Sequence, residues 1–474
     1  MGKRLDVTSD VRSFVAREGR MTSGNVGKSR VFCEDLAERD WETLKTAMEI
    51  SDQLTTANVC LFSFWDKVAP KITGHLSERF GASVAEMTSL MSHFARIDLH
   101  HAELASRLVN HLSTREEIQL SPIEELVLVL ESFAKATESL RPQKLLNEIA
   151  LRVVEEIGNF SVEELLAILH AYSHLQVVHP LMLRTIAKQL HFTDDAFLAL
   201  SETEIAAIAE TYGRLRFRHD TFMKTAVSSR ALGHTDDWDF RGLSILQWSM
   251  QKLKMTSEDT RWWAKRKDFA ALLAAIKQKE AAEPAISIAS LLSVRDCAYG
   301  ASALAAARVA DVAVFARLLR RVRLLLEADI RQGRQLGFFL TELAGMPVPE
   351  SAKKRVQLEW MCSWLCEHVM TLEVRTVAQC CRALAQLGVN DHNFFKVFVP
   401  YFTERSRELA KSDIRNVKDT FNQLKLYDRK IGRDLFFALG RRFQDLQREA
   451  GTDAENEAAV STEARPPPRL LRLG

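Results

Sequence analysis

The sequence is poor in the residues that break helices. Its 474 residues include only 19 glycines and 11 prolines, and three of those prolines stand together at 466–468. Because glycine and proline are the strongest markers of turns, their scarcity indicates long helices rather than many short strands. Hydrophobic residues make up 47% of the chain and charged residues 27%, a balance that excludes a largely disordered protein.

Three further shortages narrow the functional classes. Seven cysteines in a chain of this length do not make the dense disulfide framework of a small secreted domain, which favours a reducing compartment. No apolar run reaches the roughly 18–20 residues that cross a membrane, so we expect no membrane insertion. The net charge of +2 permits an anionic partner but does not demand one.

Catalytic and metal-binding patterns are also missing. The segment GNVGKS at 24–29 lacks the first glycine of a phosphate-binding loop, and no apolar strand precedes it. Cys362 and Cys366 can share a helix face, but the adjacent Cys380 and Cys381 point about 100° apart on a helix, so we expect packed cysteines rather than a zinc site. No nucleophile recurs beside a base and an orienting acid. We therefore expect no enzymatic activity, no cofactor and no metal.

What the chain does contain is a repeated phrase. Residues 172–180 read YSHLQVVHP and residues 212–220 read YGRLRFRHD, each beginning with an aromatic anchor. The anchors of the clear copies are Phe94, Phe133, Tyr172, Tyr212, Met250, Leu384 and Phe421. They are 39, 39, 40 and 38 residues apart in the first five copies, and 37 residues apart in the last two. Chance apolar periodicity does not keep such a register, so the phrase marks a structural repeat.

Each repeat is predicted to be a pair of helices. In the copy around Tyr172, apolar residues at helical spacing lead up to the anchor, and Ser161 with Glu164 forms a capping-box pattern at the start. A short link ends at His179, which we interpret as the N-cap or link residue of a second helix that begins at Pro180. A single hairpin cannot bury its own apolar face, but stacked hairpins can. We therefore predict an all-α fold, an α-solenoid of about nine helical-hairpin repeats of 37–40 residues.

The repeat positions divide the chain into three predicted parts. These are a flexible, basic-leaning N-terminal arm at 1–38, a solenoid at 39–447 and a polar, proline-containing tail at 448–474. Within the solenoid, the clear repeats occupy 83–260 and 371–447, and the middle at 261–370 is degenerate. We expect two or three further units in that middle, with candidates around 289–302 and from Leu340.

A column of cationic and polar residues accompanies the repeats. The residues two positions after the anchors are Arg96, Lys135, His174, Arg214, Lys252, Gln386 and Gln423, and we add Arg382, one turn before Gln386. A cation near the C-terminal end of a helix is favoured by the helix dipole, so a purely structural role is one interpretation. The other is an exposed ladder of donors for single-stranded RNA, whose phosphates and unstacked bases also repeat. The row one turn before the column is mixed in charge, so a protein surface suits the ladder equally.

The repeated wording resembles a known group of organellar RNA-binding proteins. Helix pairs of this length with phrases such as FARI, YSHL and YGRL, followed by His or Asp before the second helix, resemble octatricopeptide and heptatricopeptide repeats. The segment LHAYSHLQVVHPLML is similar in particular to apicomplexan proteins of this type, which often end in a RAP domain that is not seen in this sequence. The resemblance covers roughly 80–445.

This resemblance implies an organellar, mitochondrial protein that acts on RNA, and the missing catalytic motifs predict that it is not an enzyme. A component of the mitochondrial ribosome or an rRNA-associated factor is the leading hypothesis. The expected partners are single-stranded or ribosomal RNA and other proteins of an organellar assembly. The alternative is a protein–protein scaffold subunit of an organellar complex without direct RNA contact, which the near-neutral net charge favours.

Overall fold

A computed structural model of the chain describes residues 84–96, 102–112, 115–135, 142–192, 199–255, 263–349, 358–425 and 433–448. Every secondary-structure element within these ranges is helical, so the predicted all-α class is confirmed. None of the helices described there is both long enough and apolar enough to cross a membrane. The predicted arm at 1–38 and the predicted tail beyond residue 448 lie outside the described residues.

The residues up to Ala226 form a first compact unit. Its α-helices are α1 (Val84–Arg96), α2 (Ala102–His111), α3 (Arg115–Leu120), α4 (Ile123–Lys135), α5 (Gln143–Glu155), α6 (Val162–Leu175), α7 (Pro180–Phe192), α8 (Glu202–Leu215) and α9 (Asp220–Lys224). The helices that carry the anchors, α1, α4, α6 and α8, pack side by side in chain order, and the second helices α5 and α7 also contact each other. The unit is therefore a stack of helical hairpins with the packing of an α-solenoid.

In each repeat, the first helix is the one that carries the anchor. Two of these first helices, α6 and α8, begin with the same N-terminal capping motif. The Ser161 hydroxyl accepts from the backbone N–H of Glu164, and the Glu164 carboxylate accepts in return from the Ser161 backbone N–H at 2.7 Å. Ser201 and Glu204 repeat this arrangement at the start of α8. Such capping boxes pair the N–H groups that a helix start would otherwise leave unsatisfied. The predicted capping box at Ser161 is confirmed.

The second helices begin at the histidines of the repeated phrase. His179 Nδ1 accepts from the backbone N–H of Met182, and His219 Nδ1 accepts from that of Phe222, at 3.2 Å in both cases. Each imidazole occupies the place that a Ser or Asp side chain fills at most helix N-termini. The interpretation of these two histidines as N-cap residues is confirmed.

Large aromatic anchors fill the space between neighbouring repeats. Tyr172 is fully buried, and its hydroxyl donates to the carbonyl of Leu146 on α5 at 2.5 Å. Tyr212 is equally buried, but its hydroxyl has no hydrogen-bond partner in the described part of the chain. Aromatic rings bury more apolar area than other side chains, which explains why they recur at the anchor position.

The residues from Val227 onward form a second compact unit. Its α-helices are α10 (Phe240–Lys252), α11 (Trp263–Ala282), α12 (Pro284–Ala289), α13 (Val294–Ala306), α14 (Val312–Ala328), α15 (Leu336–Ala344), α16 (Glu359–His368), α17 (Val374–Gln386), α18 (His392–Glu404), α19 (Lys411–Gln423) and α20 (433–448). The division between the units falls in a π-helical segment at Thr225–Ala231. The first helices of this unit, α10, α13, α15, α17 and α19, also pack side by side in chain order.

The degenerate middle contains two helices that continue this row. They are α13 and α15, at the positions predicted for the units around 289–302 and from Leu340. Gly337 on α15 permits a close approach to α17, because a Cβ atom at Gly337 would lie 2.8 Å from the Cβ of Gln379. The total number of repeats stays a prediction, since residues 39–83 of the predicted solenoid lie outside the described ranges.

Candidate functional site

The repeated phrase folds into one kind of helix C-cap. The backbone N–H five residues after the anchor donates to the carbonyl of the anchor and closes the end of the first helix. This bond joins Val177 to Tyr172, Phe217 to Tyr212, Met255 to Met250, Val309 to Leu304 and Val389 to Leu384, at 2.8–3.1 Å. Leu304 on α13 is therefore equivalent to an anchor, although its sequence did not identify it as one.

The residue just before the donor of this bond adopts the left-handed backbone conformation. The angle φ is 55° at Gln176, 51° at Arg216, 56° at both Lys254 and Arg308, 89° at Gly388 and 53° at the corresponding Lys425. This conformation is strained for a residue that carries a Cβ atom, and Gly388 is the member of the set that avoids the strain. We call these six residues the cap residues.

Four of the six cap residues are exposed cations. They are Arg216, Lys254, Arg308 and Lys425. No Asp or Glu within the described ranges forms an ion pair with any of them. Each stands at the C-terminal end of a first helix, where the partial negative charge of the unpaired carbonyls favours a cation. In the second unit, three of these cations belong to helices of one packed row, α10, α13 and α19.

The predicted ladder residues of the first unit have close neighbours on their own helices. His174 Nε2 lies 3.1 Å from His170 Nε2, one turn earlier on α6. Arg214 Nη1 lies 3.9 Å from the carboxylate of Glu210, and the two side chains are only 16% and 20% exposed. A depression between α6 and α8 is lined by both apolar and polar side chains. They are Leu166, Leu169, Ala207 and Ile208, with His170, Ser173, Glu210, Thr211 and Arg214.

The ladder residues of the second unit are also partly engaged. Lys252 Nζ lies 3.9 Å from the carboxylate of Glu342 and 5.4 Å from the centre of the Trp248 ring. Arg382 Nη1 donates to the side-chain oxygen of Asn416 on α19. The remaining two members, Gln386 and Gln423, are exposed amides. The side chain of Gln423 donates to the Ala385 carbonyl at 3.5 Å.

These contacts change the expected picture of the ladder. The sequence predicted exposed cations, whereas Arg214 is mostly buried beside Glu210 and Lys252 has a carboxylate within reach. The cause is the mixed row one turn before the column, which places an acid next to Arg214 on the same helix face. Arg96 and Lys135 end α1 and α4, and their side chains lie outside the described residues. The role of the whole ladder in RNA binding stays a prediction.

The geometry of the cysteines favours packing over chemistry. In the part of the chain that is described, no group of three or more His, Cys, Asp and Glu side chains is placed to hold a metal ion. Cys380 and Cys381 are fully buried on α17, and burial raises the pKa of both thiols. Burial, with Cys366 nearby, raises the pKa of the Cys362 thiol to about 12. Thiols with such a high pKa carry little thiolate at neutral pH and are poor nucleophiles.

The cap cations are the surface feature that the sequence interpretation missed. The ladder was built on the second position after each anchor, whereas the exposed cations stand at the fourth. When the repeats are aligned on their anchors, Arg216, Lys254 and Lys425 stand at the same position, so the sequence already contained this pattern of cations. Arg308 carried no such signal, because no clear phrase marks Leu304 as an anchor.

One comparison with known proteins connects this repeat array to RNA. Residues 77–261 match a family that is described as RNA-editing substrate-binding complex 6 protein. The matched segment contains the five evenly spaced copies of the phrase, from Phe94 to Met250. No curated protein matches the chain. The first half of the array is thus similar to a family whose description names a complex that binds RNA-editing substrates.

Proposed function

We propose that the protein is a non-enzymatic, RNA-associated subunit of an organellar complex, and that it holds single-stranded RNA at the C-terminal ends of its first helices. The observation that carries this proposal is the set of four exposed cap cations, Arg216, Lys254, Arg308 and Lys425. They recur at one position of the repeat and have no carboxylate partner within the described ranges. Exposed, unpaired cations are the groups that bind the phosphates of a nucleic acid without regard to its base sequence.

The family match supports a proposal about the kind of complex. The description of the matched family names an RNA-editing substrate-binding complex, which supports an assembly of RNA and protein. Among such assemblies, we favour one that binds transcripts over the mitochondrial ribosome predicted from the resemblance, because no observation on the fold or on the matched family refers to a ribosome. A mitochondrial location rests on the resemblance to organellar repeat proteins and belongs to the proposal.

The predicted ladder has a secondary place in this mechanism. The cap cations would supply phosphate contacts and salt-dependent affinity, which carry no sequence information. The polar ladder residues His174, Gln386 and Gln423 would contact bases or sugars, where hydrogen bonds rather than net charge decide binding.

The test replaces the four cap cations together with asparagine, which removes the charge and tolerates the left-handed conformation. Binding of a fluorescein-labelled oligouridine is measured by anisotropy over a series of salt concentrations. Four lost phosphate contacts at roughly 0.7 each should lower the slope of log affinity against log salt by up to about three units. Far-UV circular dichroism confirms that the variant keeps its helices.

A matched control removes the same charges elsewhere. Arg184, Lys188, Lys277 and Arg407 are exposed and stand away from the caps, so their replacement by glutamine changes the net charge by the same amount. This control should keep most of the affinity and most of the slope. Equal losses in both variants would show that only net charge matters and would overturn the assignment to the caps.

A scaffold without RNA contact is the second candidate. The ion pairs of Arg214 and Lys252 favour it, because they satisfy predicted RNA-binding cations within the protein itself. Under this alternative, the wild-type protein shows no salt-dependent affinity for oligouridine, and the asparagine variant assembles into its complex as the wild type does.

A further inference from the structure

The second unit carries a group of exposed aliphatic side chains away from the ladder and the caps. Ile286 on α12, Leu292 in the link before α13 and Leu324 on α14 are 63%, 62% and 53% exposed. Single exposed aliphatic residues are common on protein surfaces and need no explanation. Three of them on neighbouring elements expose more apolar area, and contact of that area with water is unfavourable.

Arg321 joins the elements that carry these three residues. Its guanidinium donates to the carbonyl of Leu291 at 2.9 Å and to that of Ala289 at 3.3 Å, which ties α14 to the end of α12 and to the following link. Leu324 stands one turn after Arg321 and therefore on the same side of α14. Leu292 follows Leu291 directly, and α12 itself packs against α14.

The element at the centre of this surface is strongly cationic. This element, α14, contains four arginines and one acidic residue, in a chain whose net charge is only +2. One of the four, Arg317, pairs with Glu280 of α11. Arg320, one turn before Leu324, is exposed and forms no ion pair with any residue of the described ranges. Arg323 pairs with Glu327 at 2.8 Å, but both side chains are half exposed, and such surface pairs contribute little and exchange partners readily.

We propose that Ile286, Leu292 and Leu324, with Arg320 and Arg323 beside them, form a docking surface for an acidic amphipathic helix of another protein. The apolar face of such a helix removes the three aliphatic side chains from water, as in other helix-in-surface complexes. Its flanking carboxylates pair with the guanidinium groups, whose planar fork of N–H donors matches a carboxylate. Charge complementarity therefore selects an acidic partner and disfavours a basic one.

RNA is a poorer occupant of the same surface. Unstacked bases bind on aromatic rings, whereas the exposed side chains here are aliphatic. The neighbouring aromatic ring, that of Trp360 on α16, is already covered by Arg323, whose guanidinium carbon lies 5.7 Å from the ring centre. The proposed surface contains none of the cap residues, so this proposal and the proposed RNA binding at the caps can fail independently.

The experiment places a photoreactive benzoylphenylalanine at Leu324 in the full-length protein and irradiates the intact cells. Mass spectrometry then identifies the covalent adduct. We expect a protein segment with apolar residues at helical spacing and a clear excess of Asp and Glu. The same photoreactive group at Met370, which is 73% exposed on another element, should not capture that segment.

A second pair of variants tests the surface by loss. Arg320→Glu combined with Leu292→Ser should lower the yield of the Leu324 adduct by about tenfold or more, because both the charge and the apolar contact are changed. The matched pair Arg407→Glu with Leu120→Ser should leave the yield unchanged, and oligouridine affinity should stay within about twofold in both pairs. An adduct with RNA, an adduct with a basic segment, or a yield that Arg320→Glu with Leu292→Ser does not lower would overturn the proposal.

Discussion

The backbone N–H of Phe217 donates to the carbonyl of Tyr212 at 2.9 Å, across the left-handed residue Arg216. The same bond closes the first helix in four other repeats. It explains why the phrase keeps a fixed distance between its anchor and its next apolar residue, since both ends of the bond must be in register. Closing the helix with this bond requires the left-handed backbone conformation at the cap residue, which is strained for residues other than glycine.

Glycine at a strained cap residue should stabilise the protein. We expect Arg216→Gly to raise the free energy of unfolding by about 1 kcal/mol, because glycine adopts the left-handed conformation without a Cβ clash. Gly388→Ala should have the opposite effect, a loss of about 1–2 kcal/mol, because Gly388 has φ of 89°. Urea denaturation followed by circular dichroism measures both changes.

The control for this prediction separates backbone strain from charge. Arg216→Asn also removes the cation but keeps a Cβ atom, so it should give less than half of the stabilisation of Arg216→Gly. A glycine variant that is no more stable than the asparagine variant would mean that the conformation at Arg216 carries no appreciable strain.

The two buried tyrosine anchors make a second matched pair. Tyr172 donates to the Leu146 carbonyl, whereas the hydroxyl of Tyr212 has no partner within the described residues. Tyr172→Phe should therefore cost about 1 kcal/mol, because it removes a buried hydrogen bond between the two helices. Tyr212→Phe should be neutral or slightly stabilising, because it removes a buried hydroxyl that makes no bond. Thermal and urea denaturation of the two variants side by side would expose the difference, and equal losses would contradict it.

The fold was largely predictable because its signals are local and repeated. The capping box of Ser161 and Glu164 and the N-cap role of His179 follow from spacing alone, and the structure has both. Anchor spacing also located the helix pairs on either side of the middle. These features depend on contacts within a few residues, which is the range over which sequence patterns are informative.

The environment of the ladder could not be predicted, because it depends on contacts between distant residues. The partner of Lys252 is Glu342, which is 90 positions away and belongs to the degenerate middle. Arg382 likewise finds Asn416 on another first helix. Spacing along one helix says nothing about either partner, so it could not show that the exposed Lys252 has a carboxylate nearby or that Arg382 donates to a side chain.

The cap of α7 should make stability depend on pH. His179 Nδ1 accepts from the backbone N–H of Met182, and partial burial lowers the pKa of the imidazole below its ordinary value. The folded protein therefore binds this proton less readily than the unfolded chain, so stability is present above about pH 6.5 and falls as the pH drops through the lowered pKa. Protonation converts the acceptor nitrogen into a donor and breaks the cap.

Asparagine at this position should remove that dependence. His179→Asn keeps a side-chain acceptor that does not titrate, so its urea midpoint should fall less than that of the wild type between about pH 7 and pH 5. His234→Asn, at an exposed histidine, serves as the control and should follow the wild-type profile. Parallel profiles for all three proteins would show that the cap of His179 does not control the acid sensitivity.

The ladder itself can be tested against the caps. Replacing Arg96, Lys135, Arg214 and Lys252 together with glutamine removes four predicted phosphate contacts, which at roughly 0.7 each would lower the salt slope of oligouridine binding by about three units if all were free. Because Arg214 and Lys252 already have carboxylates nearby, we expect only about half of that change, and less than for the four cap cations. Anisotropy titrations over the same salt series compare the two variants directly. If the affinity and the slope of the glutamine variant equal those of the wild type, these cations serve the helix dipole alone, and RNA contact rests with the caps.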